Sequence, residues 1–280
     1  MAKVVHSNID VVLTTLCSKE GVDFNGVHYS PDTTKGYFVF ELAHAFPVVT
    51  TAGHAIHPTT ISKSYESMRD QKIDWEHSIA LYHAKEKDVR DKVIGSVKDV
   101  EFTGGKNVQW TITPDKEKAP FIRGLGVVFK ETQGVAKSFG QHMIGGKKLT
   151  VSMEANWPLE DSGFAIALNG GKPSLSNDSP QDFVKSGFEY VSYAKAPPEL
   201  QACYSRNNNR IQKTYQGRRV AILMGGLGEP IHFAGLAVCN FGAEKEAKIA
   251  RVCASADAAM LKNFLFFKEA LSGWSSSLEK

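Results

Sequence analysis

The clearest pattern in the chain runs from Lys147 to Trp157, KKLTVSMEANW, where Leu149, Val151, Met153 and Ala155 are apolar while Thr150, Ser152, Glu154 and Asn156 are polar. Alternation with period two marks a β-strand with one face toward a core. The polar face then presents Ser152 and Glu154 to solvent on the same side, two residues apart. GYFVFELA and GFAIALNGG read as further strands, and DKVIGSVKDVEF and NVQWTIT flank TGGK as the arms of a hairpin. In KIDWEH the same alternation runs Ile73, Trp75, His77, so His77 is expected at a strand end with its ring partly shielded.

Helical periodicity is rarer. HPTTISKSYESMRDQKI has Pro58, a Thr cap, and Ile61, Tyr65 and Met68 at spacings of four and three, which predicts a short amphipathic helix. A helical region interrupted at Gly124, Gly126 and Gly134 is expected over about 115–142. After FEYVSYAKAPPEL the stretch YSRNNNRIQKTYQGRR is polar and basic, and predicts a linker or exposed loop over 201–220. Beyond it, AEKEAKIARVCASADAAMLKNFLFFKEALSG is rich in Ala, Lys, Glu and Leu, and predicts a mostly helical extension over 221–280.

Composition narrows the function classes. With 280 residues, 42% of them hydrophobic, the chain has material for one large domain or two small ones and is not a disordered polymer. A net charge of +3 is too mild to make nucleic acid or an anionic membrane the expected partner. Cys17, Cys203, Cys239 and Cys253 form no CxxC pair, which suits a reducing compartment. The N-terminus lacks the pattern of a secretory signal and no apolar run approaches a membrane span, so a cytoplasmic location is expected.

Several motifs invite chemistry. His54 and His57 in HAIH have an i, i+3 spacing that suits a metal on a helix, but no glutamate accompanies them and Pro58 follows directly, so no metal is expected. AKSFG, with Ser138, lacks the first glycine of a nucleophile elbow, and MGGLGEP lacks the Lys-Ser/Thr of a phosphate loop and is read as a turn. His77 can be a base held neutral at a strand end, or a half-buried histidine bonded to a backbone carbonyl.

The succession IDWEH, VIGSV, LTVSMEA and FEYVSYAKAPPEL resembles the capsid maturation (prohead) serine proteases of tailed bacteriophages, relatives of the herpesvirus assemblin proteases. The likeness covers roughly residues 35–200, and FAGLAVCNFGAEKEAKIARVCASAD resembles segments that follow the protease domain. In that family a histidine at a strand end precedes an Ile-Gly turn, the nucleophilic serine lies inside a strand, and a later acid-containing segment closes the core. The resemblance implies Ser152 as nucleophile, His77 as base with His83 as rival, and Glu189 as the orienting acid with Asp182 and Glu154 in reserve.

It further implies an α+β fold: a largely antiparallel, closed or nearly closed β-barrel with surrounding helices, spanning 1–200 and followed by the linker and helical extension. The implied activity is endoproteolysis of scaffold protein and major capsid protein precursors, and of the chain itself, inside an assembling prohead in the host cytoplasm. No cofactor or metal is required, and a homo-oligomer is expected. The basic linker would tether the enzyme to scaffold or be a self-cleavage region. The alternative is a catalytically silent structural or scaffold-like assembly protein on the same fold.

Overall fold

Alternating apolar positions, many of them β-branched or aromatic, make strands the dominant element of this chain. The computed structural model describes residues 3–5, 21–30, 35–75, 93–104, 119–129, 150–168, 183, 187–205, 210–212, 214–239 and 248–254. In chain order the first strands are β1 (Lys3–Val5), β2 (Val22–Phe24), β3 (Val27–Tyr29), β4 (Lys35–Leu42), β5 (His54–Ile56) and β6 (Lys72–Trp75). They continue with β7 (Val93–Phe102), β8 (Ile122–Phe129), β9 (Thr150–Asn156), β10 (Gly163–Ala167) and β11 (Phe188–Ser192). The last are β12 (Tyr204–Ser205), β13 (Arg210–Ile211), β14 (Thr214–Tyr215), β15 (Arg218–Met224), β16 (His232–Cys239) and β17 (Lys248–Ala254). Among the described residues the α-helices are α1 (Pro58–Ser64) and α2 (Pro198–Gln201).

Eight strands form one sheet in the order β1-β9-β16-β6-β7-β8-β4-β17. Its pairs are antiparallel except β16 with β6, which run parallel. Register shifts in β7, β16 and β17 add local bends, and the sheet curls into a half-barrel. Its inner face buries Phe38, Phe40, Leu42, Ile73, Met153 and Leu236 against Ile61 of α1 and Met68 of the following 3-10 turn. Each such side chain contributes on the order of 1.5–3 kcal/mol when fully buried.

A second sheet, β11-β10-β15-β14 with β5 beside β15, is buried on both faces along β10 and β15. Phe164, Ile166 and Ile222 pack with Leu200 of α2 on one side, and Ala165, Ala221 and Leu223 with Phe46 and Phe183 on the other. On the outer face of the large sheet, the β2–β3 hairpin sets Val22 and Phe24 against Val39 and Leu125. Tyr29 Oη donates to Asp99 Oδ2 at 3.1 Å, and Arg69 donates to the same carboxylate, tying hairpin to sheet.

This architecture corrects the expected barrel ringed by helices. Among the described residues the terminal strands β1 and β17 do not pair with each other, so the sheet is a half-barrel, and a second β-sheet with two short helices stands where surrounding helices were expected. The expected helix over 115–142 contains β8, whose Gly124 and Gly126 are not helix breaks: each leaves room for an aromatic ring of β4, that of Phe40 and of Phe38 respectively. Where it is described, the expected helical extension is strand and turn rather than helix, with most of β15 and all of β16 and β17 inside the two sheets. Residues 201–220 carry β12, β13, β14 and the start of β15. Ile94 and Gly95 lie within β7, not in a turn.

The helix α1 forms where its periodicity placed it, but its cap is His57 rather than a threonine: Thr59 N–H donates to His57 Nδ1 at 3.2 Å, with Pro58 at the first helical position. Burial pushes the His57 imidazole down to about 4. Between pH 6.5 and 4 the unfolded chain therefore binds a proton that the folded chain refuses, so stability falls as pH drops through that window. His57→Asn keeps a cap acceptor and removes the titration. Comparing urea midpoints at pH 7 and pH 4.5, the parent chain should lose about 2 kcal/mol more than the variant.

Candidate active site

The polar face of β9 is where sequence and fold meet. β16 lies between β9 and β6, so its register fixes what shares a row: Ala237 is opposite Ser152 on one side and Asp74 on the other. Leu236, one residue earlier, is opposite Met153 and Ile73, and all three are in the core. Ser152, Ala237 and Asp74 therefore stand in one row on the outer face. Two strand spacings separate the outer members, about 10 Å between Cα atoms.

The neighbouring row holds Glu154 and Lys72 on either side of Gly235. Lys72 Nζ donates to Glu154 Oε2 at 2.7 Å and lies 3.6 Å from Asp74 Oδ2, so one ammonium bridges two carboxylates. A Cβ on Gly235 would sit 3.2 Å from that ammonium, so a residue without a side chain makes the bridge possible. Ser152 and Asp74 have no exposed surface and Glu154 is 1% exposed. The expectation that this face meets solvent is thus corrected: both faces of β9 are buried.

A hydroxyl and three ionisable groups on a covered sheet face are costly to desolvate, and the bridging ammonium offsets that cost only in part. Such clusters concentrate at functional sites. Chemically, the row offers a hydroxyl nucleophile on a rigid strand and a carboxylate two strands away able to orient and stabilise a cationic base.

The other expected residues fall differently. His77, His83, Asp182 and Ser138 lie outside the described residues. Glu189 is on β11 in the second sheet, opposite Ile166, with its side chain half exposed and accepting from Arg218 Nη1 at 3.4 Å. The structure therefore brings Glu154, and not Glu189, to the face of Ser152. It also brings Lys72 and Asp74, which the sequence reading passed over although KIDW alternates in plain view. Ile73 faces the core, whereas Asp74 lies on the opposite face in the row of Ser152, with Ala237 between them.

The remaining motifs have structural roles. His54 is buried on β5, its ring edge-to-face with Trp157 at 5.9 Å and Tyr204 at 6.0 Å, so HAIH is a strand leading into a helix cap. No group of three potential metal ligands comes together among the described residues. MGGLGEP is the expected turn, pinned to α1 by Thr60 Oγ1 on Gly225 O at 3.2 Å and Lys63 Nζ on Gly228 O at 2.6 Å. Among the described residues no helix is long and apolar enough to cross a membrane. Comparison with protein-family models, curated proteins and solved structures finds no match for the chain.

Proposed function

We propose that the chain is a serine endopeptidase of the capsid-maturation kind, with Ser152 as nucleophile and scaffold and capsid precursor proteins as substrates. The observation that carries this is the Ser152–Ala237–Asp74 row beside the Lys72–Glu154 pair; the substrate class rests on the order of the sequence motifs. His77 is the proposed base. It follows Asp74 by three residues, and at no more than about 3.6 Å per residue its Cα is tethered within ~11 Å of that of Asp74. To serve Ser152, the chain has to leave the alternation of β6 after Trp75, because Ile73 is on the core side. Asp74 takes the orienting role in place of Glu189.

In the reaction the imidazole accepts the Ser152 hydroxyl proton as Oγ adds to the scissile carbonyl. It returns that proton to the leaving amine, and water then releases the acyl group by the same sequence. The second function, a silent assembly protein, is favoured by one fact: Ser152 has no accessible surface.

A fluorophosphonate probe separates the two. The expected result is a covalent label on Ser152, absent in Ser152→Ala, His77→Ala and Asp74→Asn, and retained in His83→Ala, Glu189→Gln and Ser138→Ala, with cleavage of scaffold precursor following the same pattern. A folded parent chain that neither labels, cleaves scaffold nor shortens itself is the assembly protein. If His83→Ala abolishes labelling and His77→Ala does not, the base comes from the later histidine.

A further inference from the structure

We draw no further inference here: the strongest candidate, the small cavity where β5 and β15 of the second sheet meet β9 of the first, lined by His44, Thr50, His54, Met153 and Met224 among others, carries nothing, because nothing in the structure shows what it would hold.

Discussion

Gly95→Ala should be the most destabilising single-methyl change in the large sheet. Gly95 sits inside β7, opposite Ile73 of β6 and Val128 of β8. A Cβ there would overlap the Val127 carbonyl oxygen and lie 2.8 Å from its carbonyl carbon. These are backbone atoms of a neighbouring strand, which cannot rotate aside as a side-chain tip can. Relief requires β7 and β8 to separate at the middle of the eight-stranded sheet, where the register already shifts to skip Ile94. A loss above about 4 kcal/mol is expected, a large share of the ~5–15 kcal/mol that holds a domain together. Gly36→Ala is the control: it also faces Val128, from β4, and a Cβ there meets nothing within 4 Å. Its urea midpoint should match the parent within about 0.5 kcal/mol. An unchanged midpoint for Gly95→Ala would show that β7 and β8 do not approach as described.

The second large effect comes from Lys72→Met. The substitution keeps the side-chain stem and removes the ammonium that lies 2.7 Å from Glu154 and 3.6 Å from Asp74, leaving two buried carboxylates facing one another. Removing one partner of a buried ion pair costs about 3–5 kcal/mol, and Lys72 is 29% exposed, so the lower end is expected. Adding Glu154→Gln to Lys72→Met should recover more than 1 kcal/mol, because it deletes one of two neighbouring buried negative charges. Breaking the Arg218–Glu189 pair on the rim of the other sheet should shift stability by less than about 1 kcal/mol. Additive effects of Lys72→Met and Glu154→Gln would mean that the bridge does not hold the two strands as a unit.

What could be read from letters was one strand at a time. β4, β9, β10 and α1 were legible because each carries its own period and needs no neighbour to reveal it. β8 was not, because the reason for Gly124 and Gly126 is the bulk of Phe40 and Phe38 on another strand. β17 was not, because Ala and Lys count toward helix in isolation, while pairing of Ile249 and Val252 with Phe40 and Phe38 decides the outcome. The same limit governed the site. Ser152 and Glu154 stood out on β9, but that their face is covered, and that Lys72 and Asp74 share it, depends on β16 lying between two distant strands. Segment order points to Glu189 as the acid, but segment order does not say which sheet a strand joins.

The parallel pairing of β16 with β6 has a consequence for timing. The strands carrying Ser152 and Asp74 both precede β16 in the chain, yet they have no place beside each other until β16 inserts between them. Long-range and parallel pairings of this kind close slowly, since loop entropy is lost before the contacts repay it. A chain still emerging from the ribosome therefore holds serine and aspartate on separate strands, and the row forms only with one of the last strands to be made. On the protease function proposed above, that delay would withhold activity from the nascent chain.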